Sequence, residues 1–148
     1  MKRTVSYGMK QFLVVALALT VAASPVKAYL GDDSDRVDDL YRNLMKRRLR
    51  DDGTVSVLYG QDQYLYRVIF ANDRSISESY SHTNGKDLSE KEIAKFLKAN
   101  AAGGAWIAAN TAKERRFKRS DDRAVATYGI TEGRHALTVR ELRPPPDQ

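Results

Sequence analysis

The sequence predicts an α+β domain, two helices packed on antiparallel sheet in the order α-βββ-α-βββ. Three observations carry this. Between Val55 and His82, β-branched and aromatic residues recur at every second position, and Gly60-Gln61-Asp62 and Asn72-Asp73 interrupt them, which is the pattern of a meander. Two segments, near Leu44 and near Phe96, instead repeat apolar residues at three- and four-residue steps. After Trp106 a second set of three strand-like runs appears. Strand runs separated by isolated helices argue for α+β rather than a parallel α/β sheet.

Taken in order, Asp35 suits a helix N-cap, with Asp38 and Asp39 in the first turn, where acidic groups meet the positive end of the helix dipole. Val37, Leu40, Tyr41, Leu44, Met45 and Leu49 would share one apolar face, and Lys46, Arg47, Arg48 and Arg50 would close the last turns. Asp51-Asp52-Gly53 reads as the stop. The meander then offers three strands, Val55 to Tyr59, Tyr64 to Phe70 and Ser75 to Ser81. Tyr64, Tyr66, Val68 and Phe70 are expected to meet the core, and the serines of the third strand to face water.

Ser89-Glu90-Lys91-Glu92 is a capping box opening a second helix, with Ile93, Ala94, Phe96 and Leu97 on its buried face. Gly103-Gly104 ends it, since glycine costs about 1 kcal/mol in a helix interior. The alanine-rich run 105–112 around Trp106 fits either a short helix or an irregular link. Strands are predicted at Arg116 to Arg119, Ala124 to Ile130 and Ala136 to Leu142. The two halves echo each other in element order, a hint of an internal repeat or a shared sheet.

Residues 1–28 follow the secretory-signal plan: Lys2, Arg3 and Lys10 precede an apolar run from Phe12 to Ala23, and small residues at Val26-Lys27-Ala28 mark a cleavage site. The run is shorter than the roughly 20 residues a spanning helix needs. An exported protein, periplasmic or secreted, with no transmembrane span after cleavage, is therefore expected. The mature domain is placed at 29–143, with a Pro-rich tail at 144–148 that cannot extend a ladder. The leader's four ionisable residues are all basic, so its removal takes the formal charge from +6 to +2 and removes the argument for nucleic acid. No cysteine is present, so neither a disulfide nor a lipid-bearing cysteine is available.

The chemistry is sparse. His82 and His135 are the two histidines, outside any His-Glu-x-x-His pattern, and no Gly-x-Ser-x-Gly elbow accompanies them. A small hydrolase using either one is the enzymatic alternative. Acids 32, 33, 35, 38 and 39 lack the alternation and distant glutamate of a calcium loop, and capping accounts for them better. No metal site, cofactor or catalytic set is expected. Two basic groups stand out, Lys46 to Arg50 and the stretch from Arg115 to Arg123, with Arg115, Arg116, Lys118 and Arg119 around Phe117; a solvated helix end and a solvated strand account for them, and the second, with its aromatic, could instead hold a polyanion or an anionic surface. Tyrosine is frequent; strand alternation favours a core role for Tyr59, Tyr64 and Tyr66, and together with Trp106 they are also the other candidate binding surface.

Leu30-Gly31 leading to Tyr41, then Val68-Ile69-Phe70, Ile76 to Tyr80, Glu92 to Asn100, Trp106 and Arg123 to Tyr128 give the chain a resemblance to uncharacterised small exported bacterial proteins. More distantly, the helix-then-meander front half resembles the α+β modules of outer-membrane assembly lipoproteins of the BamE/SmpA type and of β-lactamase inhibitor proteins. The chain departs from the first in lacking the lipidated cysteine and paired short helices, and from the second in lacking disulfides. What the resemblance implies is binding of other proteins, without any functional residue to carry over. The expected function is therefore a non-enzymatic binding protein of the bacterial cell envelope.

Overall fold

The computed structural model describes residues 30–142; the leader and the Pro-rich tail read from the sequence lie outside them. The chain order is α1 (Ser34–Tyr41), β1 (Leu44–Leu49), β2 (Val55–Gln61), β3 (Tyr64–Ala71), β4 (Arg74–His82), α2 (Glu90–Ala99), β5 (Trp106–Ala108), β6 (Arg115–Arg119), β7 (Ala124–Thr131) and β8 (Arg134–Glu141). All eight strands belong to one antiparallel sheet, ordered β1-β2-β3-β4-β8-β7-β6-β5.

This corrects the expected α-βββ-α-βββ architecture of two helices on a sheet. The order is α-ββββ-α-ββββ, the sheet dominates, and the helices are short, of 8 and 10 residues. The missing strands are β1 and β5. The sequence pattern places the first in the C-terminal half of a helix running to Arg50. Instead α1 starts from Asp33, whose side chain accepts from the Arg36 amide at 2.9 Å, and it ends where Arg42 turns to φ 56°. Leu44–Leu49 then folds against β2 across the Asp51–Gly53 turn, closed by Arg50 N–H donating to the Thr54 carbonyl at 2.8 Å. The segment's apolar spacing suits a helix as well as a strand. Pairing to β2 wins because it joins the segment to a sheet already in place, whereas an extended α1 would stand alone in water. The same logic resolves the undecided alanine-rich run: Trp106–Ala108 pairs with β6.

The two halves, each a helix followed by four strands, meet where β4 pairs with β8. Both hairpins that flank this seam turn through two residues with positive φ, Asn72-Asp73 (49° and 60°) and Glu132-Gly133 (50° and 76°). Turns of this hand match the strand twist and so hold register.

Core residues lie on one face, beneath the helices. Tyr64, Tyr66, Val68 and Phe70 of β3 are buried as expected, and Val57, Tyr59, Tyr80, Leu137 and Val139 extend the same layer. Val37 and Tyr41 of α1, and Ile93, Phe96 and Leu97 of α2, complete it. Aromatic rings dominate: Tyr41 stacks on Tyr66 at 4.5 Å and Phe96 on Tyr80 at 4.3 Å. Glu78 is 1% exposed within this layer and accepts from the hydroxyls of Tyr80 (2.6 Å) and Tyr41 (3.2 Å). The expected serine face is only partly wet. A bulge opposite Ile69 and Phe70 shifts the register, so Ser75 is fully buried while Ser77 and Ser79 stay on the far side.

Candidate functional site

With α1 and α2 on one side, the other side of the sheet has no helical cover among the described residues. Alternation places Leu58, Arg67, Ser79, Thr138, Thr127 and Arg116 on that side as successive cross-strand partners. Its centre is hydroxyl-lined, with Ser79 and Thr138 bonded at 2.9 Å. Toward β1 it becomes cationic. Lys46 and Arg48 stand opposite Leu58 and Ser56, so they share the uncovered face, and Arg50 follows two residues on. Strand geometry spaces three such side chains by about 7 Å.

These residues line a groove of about 570 Å³ together with Ser56, Leu58, Arg67 and Ile69. A smaller hollow of about 260 Å³ continues it past Leu58 and Arg67 to Ser79, Ser81 and Arg134. The β7–β8 turn curls over this side, and Glu132 at its tip pairs with Arg67. Arg134 fastens the turn by donating to the carbonyls of His82 and Thr83. Acidic groups sit at the ends of the groove, Asp51 and Asp52 at the β1–β2 turn and Glu132 on Arg67. Asp52 is engaged by the amide and hydroxyl of Thr54, which lower its pKa. Lys46, Arg48 and Arg50 are exposed and make no ion pair among the described residues. Burial lowers the pKa of Arg67, and the nearby Arg50 charge adds to that in the same direction.

The residues singled out from the sequence are distributed otherwise. Tyr59, Tyr64 and Tyr66 are 0%, 8% and 4% exposed and belong to the core, the role strand alternation favoured, and the alternative aromatic binding surface does not form there. Burial raises the pKa of Tyr66 to about 12 and that of Tyr59 further. Trp106 packs against the core and its indole N–H donates to the Leu97 carbonyl at 2.6 Å, closing the end of α2. Alternation also splits the basic stretch. Arg115 forks onto Glu90 at 2.5 and 2.7 Å, and Arg119 is buried, bonded to the Asn100 carbonyl and to Asp121. Arg116 and Lys118 reach the uncovered side, with Arg123 in the same phase just before β7, and Lys118 pairs with Asp122. The cationic cluster of the structure is therefore on β1 and β3. The available signal was the hairpin spelled by Leu44-Met-Lys-Arg-Arg-Leu, Asp51-Asp-Gly and Val55-Ser-Val-Leu-Tyr.

Each histidine holds a carboxylate: His82 Nε2 lies 2.9 Å from Glu92 and His135 Nδ1 2.8 Å from Asp87. Glu92 also accepts from Tyr64 and from both the amide and hydroxyl of Ser89, which lower its pKa to about 2, the Tyr64 bond most. The nearby serine hydroxyl thus donates to the carboxylate, and among the described residues neither imidazole is bonded to a hydroxyl that it could activate. These contacts tie α2 and the loop before it to the sheet ends. No group of three potential metal ligands occurs among the described residues, and none of the described helices is long and apolar enough to cross a membrane.

No family model matches the chain, and no curated protein matches it in sequence. A solved structure similar in fold is that of a cysteine-rich secretory protein from Staphylococcus aureus subsp. aureus Mu50, at 8% identity and a TM-score of 0.44, over 76% of this chain and 44% of that one. The chain thus spans less than half the length of that protein, and a likeness at this level carries no functional argument.

Proposed function

We propose that this is an exported, non-enzymatic binding protein of the cell envelope, and that its ligand surface is the uncovered sheet face beside β1, which selects an acidic partner. One observation carries the reading: among the described residues, a groove of about 570 Å³ holds four cationic side chains, three of them without an ion pair, on a face that no helix covers. Exposed cations that the fold does not use are the cheapest to commit to a ligand, because no internal partner must be given up. Export rests on the leader-like N-terminus. A polyanion reading survives, moved from the Arg115–Arg123 stretch to Lys46, Arg48, Arg50 and Arg67.

The test is retention on immobilised poly-glutamate at low salt. The triple variant K46E/R48E/R50E should elute early, while the charge-matched swap K91E/K113E/R123E, at exposed positions outside the groove, should elute with the parent. Equal retention of all three proteins would refute the assignment of this face. Salt must release the parent, since the attraction is between exposed charges.

A further inference from the structure

We infer that β1 accepts an extended acidic segment of another protein as a ninth strand of the sheet. The inference rests on the reading of this face as the ligand surface and adds the mode of docking.

The sheet has two edges. β5 is three residues long, too short to hold a partner strand, whereas β1 has six residues, all exposed. The ladder phase on β1 is set by Arg50 N–H donating to Thr54. Counting back by alternation, Arg48 and Lys46 turn their backbone groups to β2, and Arg47 and Leu49 turn theirs outward to the edge. Side chains alternate the other way: Lys46 and Arg48 lie on the groove side, Leu49 (71% exposed) on the helix side. Arg47, also on the helix side, is already held by Asp38 at 2.7 Å. An incoming strand would therefore find open backbone partners, unpaired cations beside one set of its side chains and exposed leucine beside the other. That combination fits alternating acidic and apolar residues and fits no polymer lacking a peptide backbone.

Charge also selects against the nearest competitor, a second copy of the chain. Antiparallel pairing of two β1 strands centred on Arg47 would set Arg47 against its own copy and Lys46 against Arg48 twice, with no acid on either strand, and like charges directly opposite are destabilising. Cations on an edge strand commonly guard it against unspecific pairing. Here the same guard admits one class of partner, an acidic strand, and turns neutral and basic ones away.

The probe is a fluorescent peptide of four Glu-Val repeats, read by anisotropy against the full chain. It should bind, and a peptide of identical composition written as four Glu then four Val should bind more weakly. Leu49→Pro deletes an edge-facing N–H that the fold does not use and leaves every cation in place. It should weaken the repeat peptide about tenfold, the effect of losing one to two hydrogen bonds, and leave retention on immobilised polyacrylate, a polyanion with no peptide backbone, unchanged. N-methylating the peptide on alternate residues should do the same in one of the two registers, which covers the case of a Leu49→Pro chain that does not fold. Unchanged affinity of Leu49→Pro and of both N-methylated peptides would overturn strand addition. The ligand-face reading would still stand if K46E/R48E/R50E abolished binding, and would fall with it if that variant bound as the parent does.

Discussion

Replacing Glu92 by glutamine should flatten the acid limb of this protein's stability. Glu92 accepts from the Tyr64 hydroxyl at 2.5 Å, the Ser89 amide at 2.7 Å and the Ser89 hydroxyl at 2.8 Å, and it lies 2.9 Å from His82. These donors hold its carboxyl at about 2, against an ordinary 4.5. A depressed folded value means the contribution is complete above about pH 4.5 and is lost as pH falls toward 2. At about 1.4 kcal/mol per pH unit the gap sets a ceiling near 3 kcal/mol. Solvent at the sheet rim screens the charge, which brings the working figure to about 1–2 kcal/mol. Glutamine keeps an acceptor oxygen and can still occupy its place in the capping box, so the helix start should survive. Urea unfolding of both proteins from pH 7 to pH 2 is the assay. The parent should lead by roughly 0.5–1 M in midpoint at pH 7, for a slope of about 2 kcal/mol/M, and the lead should vanish by pH 2. A gap that stays constant across the range would refute the linkage, because it would show that Glu92 acts through shape and not through charge.

Phe96→Ala should cost about 3–5 kcal/mol in the same assay, since the ring is 1% exposed and stacked on Tyr80; a loss below 1 kcal/mol would mean α2 is not seated as described. Arg119→Ala should cost about 1–3 kcal/mol by orphaning the Asn100 carbonyl at the end of α2. Lys118→Ala, one residue away but exposed, should stay within about 0.5 kcal/mol; similar losses for the pair would contradict the assigned strand faces. In a spectrophotometric titration, burial should keep Tyr41, Tyr59 and Tyr80 un-ionised at pH values where the urea-unfolded chain has fully titrated. Full native titration near pH 10 would show those hydroxyls open to water.

Some of this was written in the residues. Tyr64, Tyr66, Val68 and Phe70 announced β3 and its buried side, because a period of two leaves no other face for them. Ser89 and Glu92 announced the start of α2, because their mutual bonds form within one turn. Local patterns of this kind need no distant partner. What the chain could not declare is where a segment must wait for one. Leu44 to Leu49 carries both periods weakly, and only the presence of β2 beside it makes it a strand. The bulge that buries Ser75, the seam between β4 and β8, and the curl that lays Glu132 on Arg67 are likewise properties of the assembled sheet. The cationic groove follows from those choices. Composition marks both Lys46 to Arg50 and the Arg115–Arg123 stretch as basic, but not which of their charges meet, nor that Arg67 joins Lys46, Arg48 and Arg50. These four converge because hydrogen bonding between strands, which composition does not encode, decides which charges share a face.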